Sequence, residues 1–452
     1  MVDAGGSLVV RDVLPGSPGW PQALVKTETV ASALSAAGID AMAVGGRDWY
    51  LGVRKVIALQ QADDLPILAA NLVCDGKRPF PASKKVTVAG HTVGFIGLTS
   101  GSVDGCTVEP LAEATRRAVD ALGPVDALVA LAPVETKDMT AIGKAAPEID
   151  FVLDGHSGRR LDTPERSGPA WWLAHGFRGQ NIGLVGLDFT GDSGRWVETG
   201  RVKDLEERIT RFQQRKADSA KAAAAAKDET AAKRLHDQVA WYDTRIAEAR
   251  KEQAALGVDR GASTFTWTIE ALGAEVGDDP ATAKLVAAAK ERIGKVEVAR
   301  PIVLGARSVD AGAYVGSDAC KACHAAEYAQ WSGTKHARAF DALQSFDRSM
   351  DRQCVGCHVT GWAADGGPDA PARVGPYRDV QCEACHGPGR AHVADPTGAK
   401  LLADPGVKTC HTCYDGVQDQ GRFDADTYLP KVAHGAEAPA VSSPPPPPRS
   451  PR

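Results

Sequence analysis

The sequence predicts a multidomain protein: an α/β layered domain, a helical spacer of coiled-coil or hairpin type, and a mostly α-helical, cysteine-rich domain. Three observations predict it. Short apolar runs alternate with segments of helical spacing as far as about residue 200. From Lys203 to Leu256 apolar residues recur at alternating intervals of three and four, as in a coiled-coil seam. Eight of the ten cysteines lie between Cys320 and Cys413. The expected divisions are 1–200, 201–300, 315–435 and a proline-rich tail, 436–452.

In the first region "TETVASALSAAG" has helical spacing and stops at Gly38. "DAMAVGG", "LPILAANL", "KVTVAG", "TVGFIGLTS", "VDALVALAP", "IDFVLDG" and "NIGLVGLDF" read as strands, because each is a short apolar run closed by Gly, Asp or Pro. "LAEATRRAVDALG" and "TKDMTAIGKAAP" read as helices between them, which gives layered α/β architecture. In the spacer, Leu205, Ile209 and Phe212, then Leu235, Val239, Tyr242, Ile246 and Ala249, mark the seam. As one helix it would reach roughly 80 Å at about 1.5 Å per residue. A hairpin turning near Lys227–Thr230 serves as well, and a seam of this kind could instead support a dimer. "STFTWTIEAL" and "TAKLVAAAKERIGKVEV" add a strand and a helix, and the five consecutive prolines of the tail exclude helix and sheet.

Charged residues make up 24% of the chain, the apolar set 43%, and the net charge is -5. That balance gives no electrostatic case for a nucleic-acid partner. No apolar run approaches the roughly 18 residues of a membrane span. No basic, then apolar leader is visible after Met1.

The cysteine-rich region writes Cys-x-x-Cys-His three times: Cys320, Cys323, His324; Cys354, Cys357, His358; Cys382, Cys385, His386. This is the pattern of covalent c-type haem attachment. Two thiols one turn apart reach the two vinyl groups, and the next histidine swings beneath the porphyrin as an iron ligand. Zinc also takes Cys-x-x-Cys pairs but has no use for a histidine directly after each. A disulfide scaffold suits pairs one turn apart poorly. Spare histidines at His336, His392, His411 and His434 are candidates for the opposite axial position, His411 being the weakest. Two histidines on one iron suit electron transfer, and a vacant position permits catalysis.

"GSDACKACHAAEYAQWSGTKHARA", "CVGCHVTGW", "VQCEACHGPGRAHV" and "KTCHTCYDGVQDQGRFDADTYLPKVAHG" together resemble the tetrahaem cytochrome c family of ammonia oxidisers, the electron acceptors of hydroxylamine oxidoreductase. The resemblance implies four closely packed haem c groups, mostly with two histidine ligands and one five-coordinate. It further implies His324, His358 and His386 as proximal ligands and His336, His392 and His434 as distal ones. Cys410 and Cys413 fall where the fourth haem attaches, but Tyr414 stands where that motif has histidine. Three haems follow from the intact motifs. For the fourth site a haem with phenolate or other ligation, a disulfide and a free dithiol all stay open.

The first region is similar to the metallophosphoesterase domain of periplasmic 5'-nucleotidases, through "LAANL", "VGFIGLTS", "IDFVLDGHSG" and "RGQNIGLVGLDF". Such domains hold two metals that clamp phosphate and activate water. Placed on that pattern, Gly6, Gly46, Arg47, Pro133 and Gly158 occupy ligand positions, and His156 alone keeps its type. Glycine, arginine and proline cannot ligate a divalent cation, so the resemblance implies a scaffold without its metal site. The family's opening Asp-x-His strand would precede Met1, which implies an upstream start. Both resembled families are exported, and c-type haem attachment occurs outside the cytoplasm, so the expected location is periplasmic or extracytoplasmic. Cys74 and Cys106 then read as a disulfide or as two buried thiols.

The function expected is therefore an electron-carrying multihaem cytochrome working between redox partner proteins, with no catalytic residues assigned. The alternatives are a metal-dependent phosphoesterase or 5'-nucleotidase-like hydrolase bearing haems, and a haem oxidoreductase with an open iron.

Overall fold

The computed structural model describes residues 1–9, 13–189, 196–256, 262–273, 275–299, 313–364, 366–416, 419 and 421–434. The tail at 436–452 lies outside them. The chain forms two compact units. Met1–Pro15 and Lys26–Ala283 make the first; Gly16–Val25 and Lys284–Arg452 make the second. No helix among the described residues is long and apolar enough to cross a membrane.

The first unit holds strand β1 (Val2–Asp3), helix α1 (Trp20–Ala36) from Lys26 onward, β2 (Ala41–Ala43), α2 (Val53–Asp63), β3 (Ile67–Leu68) and β4 (Leu72–Cys74). Then come β5 (Ser83–Val88), β6 (His91–Gly97), β7 (Cys106–Val108), α3 (Leu111–Leu122), β8 (Ala127–Ala132), α4 (Thr136–Ala145) and β9 (Phe151–Asp154). The remainder is β10 (Glu165–Ser167), β11 (Ala170–Leu173), β12 (Asn181–Asp188), β13 (Trp196–Glu198), α5 (Thr199–Ala225), α6 (Glu229–Leu256) and β14 (Ser263–Ala271).

A six-stranded sheet in the order β10-β11-β9-β8-β6-β5 forms its centre, and β1-β2-β3 make a parallel sheet of their own. In the six-stranded sheet β6, β8, β9 and β11 run parallel, while β5 and β10 close its edges antiparallel. β8 is buried at every position, as its unbroken "ALVALA" requires of a strand covered on both faces. One face packs Ile96, Ala130, Val152 and Trp172 against Ala118 of α3 and Ile142 of α4. The other packs Phe95, Val129, Phe151 and Leu173 with Trp196 and Phe265. Gly97 lets β6 approach Leu68, since a Cβ there would stand 2.3 Å from the Leu68 Cβ. β4 and β7 pair antiparallel, and their directly opposed Cys74 and Cys106 form a disulfide.

"NIGLVGLDF" does form a strand, β12, but it pairs with β14 in a separate sheet, β12-β14-β13. Between β13 and β14 the chain makes a helical hairpin. Leu205 and Ile209 of α5 meet Ile246 and Ala249 of α6, with Phe212 packed beside them. Ser219 bonds Gln238, Lys216 pairs with Asp243, and Arg208 with Glu252, a falling register that makes the helices antiparallel. The turn sits at residues 226–228, where alanines give way to Lys-Asp and the Asp228 carboxylate accepts from Thr230 and Ala231 N–H. The first helix differs from its sequence reading: α1 begins at Trp20, seven residues before Thr27, because Pro21 in its first turn has no N–H to leave unpaired.

The second unit is built from Trp20–Val25 of α1, α7 (Pro280–Ala299) from Lys284 onward, and a series of short helices. These are α8 (Ser317–Cys320), α9 (Ala325–Ser332), α10 (Ala339–Ser345), α11 (Arg352–His358), α12 (Cys382–His386), α13 (Arg390–Ala394), α14 (Gly406–Cys410) and α15 (Ala425–Tyr428). Its clustered apolar core in the cysteine-rich part is small: Phe340, Leu343, Val355, Val359 and Val374.

Candidate functional site

Each Cys-x-x-Cys pair sits on one tight turn. In the first motif Cys323 N–H and His324 N–H both donate to the Cys320 carbonyl, at 3.2 and 2.9 Å. The second motif ends α11 and the third is the whole of α12. None of the eight cysteines of the region forms a disulfide. The Cys320 and Cys382 thiols share a hydrogen bond, and so do those of Cys357 and Cys413. The first motif therefore adjoins the third, and the second adjoins the fourth. The hydrogen bond from Cys357 draws the Cys413 thiol down to about 6, and the same bond pushes Cys357 up.

Glu383 ties the first and third motifs together. Its buried carboxylate accepts from Val315 N–H at 2.9 Å, Gly316 N–H at 2.7 Å and Gly389 N–H at 2.6 Å. The Gln381 side chain adds a bond from Ser317 N–H at 2.7 Å. Neither residue was picked out from the sequence, because Glu383 occupies a variable slot of the Cys-x-x-Cys pattern. Its one signal there is a charge in a motif whose other inner residues are mostly small.

Motif histidines meet the spare ones in pairs. His324 faces His392 with ring centres 6.3 Å apart, and His386 faces His434 at 5.9 Å. Two imidazoles bonded on opposite sides of one metal ion, each with a nitrogen–metal distance of about 2 Å, set their ring centres roughly 6 Å apart. The hydrogen bonds of these rings also orient them. Nδ1–H of His386 donates to the Leu402 carbonyl at 2.7 Å, and that of His392 to Ala399 at 2.8 Å. His434 Nδ1 meets Gln330 Oε1 at 3.1 Å, and His358 Nδ1 meets the Ala339 carbonyl. A carbonyl only accepts, so the proton is on Nδ1 and Nε2 keeps the lone pair that a metal requires. His358 stacks on no second imidazole among the described residues. His336 is the remaining spare histidine with a counterpart: its Nε2 lies 3.3 Å from Tyr414 Oη. Burial moves the His336 imidazole below its ordinary range. His411 turns elsewhere, its Nδ1 3.2 Å from the Tyr414 carbonyl.

The donor set fits haem c. Thiols are unpaired as disulfides, imidazoles are matched across gaps of ligation width, and side-chain packing around them is sparse.

The first unit offers no equivalent cluster. Among the described residues no three His, Cys, Asp or Glu side chains come together to hold a metal. Pro133 fills the ground between two loops: a Cβ on Gly5 would lie 2.9 Å from its ring, and one on Gly45 2.7 Å. Gly6 N–H is spent on Asp48, whose buried carboxylate also accepts from Leu8, Val9 and Gly45 N–H. Burial raises the Asp48 carboxyl to about 6 although these donors oppose the shift. Arg47 has its Nε buried without a partner. His156 is exposed on the loop after β9, its N–H held by Asp154 at 2.8 Å. Near these lies His175, which the sequence reading passed over: burial lowers it, and the charges of Asp3 and Asp154 act the other way.

The sequence profile of the family described as cytochrome c554 and c-prime matches residues 319–387. Cytochrome c-554 of Nitrosomonas europaea is 34% identical over 92 residues, covering 17% of this chain and 39% of the relative. The chain thus spans about two fifths of the length of that curated relative. Solved structures resemble the N-terminal region. Sulfate thiohydrolase SoxB of Thermus thermophilus aligns at 24% identity and TM-score 0.36, over 41% of this chain and 35% of its own. A 5'-nucleotidase precursor, also of Thermus thermophilus, aligns at 21% and TM-score 0.34, over 42% and 41%. Calcineurin-like phosphoesterase YfkN of Bacillus subtilis aligns at 16% and TM-score 0.35, over 41% and 70%. The C-terminal region is thus cytochrome c554-like, and the N-terminal region resembles calcineurin-like phosphoesterases in structure.

Proposed function

We propose that this protein is an extracytoplasmic multihaem c-type cytochrome that passes electrons between redox partners. The observation that carries this reading is the pairing of motif histidines with spare ones, His324 with His392 and His386 with His434, at 6.3 and 5.9 Å. Bound haem c would supply iron that changes oxidation state by one electron. Cys320 and Cys323, Cys354 and Cys357, and Cys382 and Cys385 anchor three such groups. His324, His358 and His386 orient them from the motif side, and His392 and His434 close two from the other. Imidazoles holding the group from both sides would favour electron transfer over substrate binding.

The first unit acts as scaffold or docking domain in this reading. Pro133 packed between Gly5 and Gly45 takes up space that a metal pair and its ligands would require. The Cys74–Cys106 disulfide supports an oxidising compartment. A second reading rests on His358, which no imidazole among the described residues faces: a haem there would leave room for a small ligand, as in an oxidoreductase.

The test is the full chain exported behind a bacterial signal peptide in a host that attaches haem c. At least three covalent haems, mostly low-spin, and reversible one-electron steps are expected. Carbon monoxide binding that is lost in His358→Ala would bring the second reading forward. A haem-free product, or metal-dependent phosphatase activity of the purified chain, overturns the proposal.

A further inference from the structure

The fourth Cys-x-x-Cys motif has the turn of the others but not the space beside it. Cys413 N–H donates to the Cys410 carbonyl at 3.1 Å and Tyr414 N–H to the same oxygen at 2.9 Å, the two bonds that shape the first motif. The first and third motifs leave a gap between facing imidazoles. Here Tyr414 Oη and His336 Nε2 touch, sharing a direct hydrogen bond at 3.3 Å. Ligand atoms on opposite sides of one metal ion stand roughly 4 Å apart, with about 2 Å to each, so this pair has no room for an iron. The face of the phenol is taken as well. Phe423 stacks on Tyr414 with centres 4.7 Å apart and planes 17° from parallel, and the same ring meets His411 at 5.5 Å and Tyr428 at 5.8 Å. What is left is a pair of thiols without a disulfide. Cys413 is in hydrogen-bond contact with Cys357. Once the second motif carries its haem, Cys357 is a thioether, and Cys410 is the thiol left to Cys413. Both are half-buried, while His411 and Thr412 between them are exposed, so the turn is open to a partner.

We propose that Cys410 and Cys413 are a redox-active dithiol rather than a haem anchor, and that they exchange electrons with the dithiol of a partner protein. Residues three apart on a turn set their Cβ atoms about 5 to 6 Å apart, wider than the roughly 4 Å of a relaxed disulfide. A bond closed on such a turn is a poor staple but an easily opened one, which is what reversible exchange requires. In the oxidised form the pair holds one sulfur–sulfur bond. A partner thiolate attacks Cys410 Sγ. The bond breaks, and Cys413 leaves with the electron pair and takes up a proton. The partner's second thiolate then displaces Cys410, which is protonated in turn. The partner departs as a disulfide, and two electrons and two protons have passed to this chain. Cys74 and Cys106 provide the contrast, a disulfide between directly opposed residues of two strands.

The test is thiol mapping of the full chain, exported with haem attachment, after equilibration with reduced or oxidised glutathione and alkylation of the free thiols. Three haems are expected, none of them on the Cys410–Cys413 peptide. A Cys410–Cys413 bond should form with oxidised glutathione and open with reduced glutathione, while Cys74–Cys106 stays closed. Cys413→Ser should lose this change of two thiols and keep three haems. A haem thioether on either cysteine overturns the proposal. So does a Cys357–Cys413 link, or a pair that is alkylated at every glutathione ratio. The wild type alone decides these outcomes, so the folding of the variant is immaterial to them. A second-motif peptide without haem counts against the cytochrome reading, and a missing Cys410–Cys413 bond against this one. The two failures are therefore read on different peptides.

Discussion

The two units of this chain are held together in different ways. The first buries whole strands: β8 is fully enclosed, and Phe151, Phe265, Ile96 and Leu131 are among its largest inaccessible side chains. Burial at about 25 cal/mol per Å2 of apolar surface is ample to hold such a unit. Among its described residues the cysteine-rich unit has a five-residue apolar cluster and a smaller one of Val25, Ala289 and Ile293, with polar clamps such as Glu383. What it brings together instead are thiols and imidazoles. The contrast teaches that one core is written in apolar side chains, whereas the other gathers thiols and imidazoles around small apolar clusters.

The sharpest way to break that comparison is to withhold haem attachment. Produced without it, the second unit is expected to lose its fold and be digested by a mild protease, while a fragment covering the first unit resists. Equal protection of both units, read by mass of the surviving fragments, would show that the second needs no haem. Next in size is Phe151→Ala in the first core, where Phe151 packs edge-on against Phe265 at 5.0 Å. It should cost about 4 kcal/mol in chemical denaturation of that unit, with the haem absorption unchanged. A parallel loss of haem would mean that the units do not fold separately.

Cys74→Ser should cost the first unit about 3 kcal/mol through loss of its cross-link, in denaturant titrations of the oxidised protein. The reduced wild type should match the variant. The smallest effect concerns Asp150, whose carboxyl burial pushes up to about 6 against the hydrogen bonds of Leu128 and Trp196. Its folded-state pKa lies above the unfolded one, so its stabilising contribution is complete below about 4 and lost as pH rises to about 6. The first unit should lose about 2 kcal/mol over that interval. Asp150→Asn should flatten the slope, and an unchanged slope would assign it to other groups.

Sequence legibility followed the same division. Strands β6, β8 and β9 announced themselves because a buried parallel strand must be a short apolar run with a turn signal at its end. β10 and β11 did not: "ERS" and "AWWL" are too brief for any period, and their pairing depends on β9 already being in place. "NIGLVGLDF" showed that it was a strand but not which sheet it would join, since its partner β14 lies more than seventy residues onward. The four Cys-x-x-Cys motifs were legible because their residues are adjacent in the chain. The facing of His392 to His324, or of His336 to Tyr414, is set by the path of the chain between them, and no local pattern records it. Glu383 escaped notice for the same reason: its three backbone donors come from residues 315, 316 and 389.

The central claim is that His392 and His434 complete axial pairs begun by His324 and His386. It is tested most directly by low-temperature electron paramagnetic resonance of the oxidised protein and its His392→Ala and His434→Ala variants. Each substitution is predicted to convert one bis-histidine low-spin centre to high spin while leaving the covalent haem count unchanged. A low-spin spectrum indifferent to both substitutions would contradict the pairing, and with it the account of this region as an electron carrier.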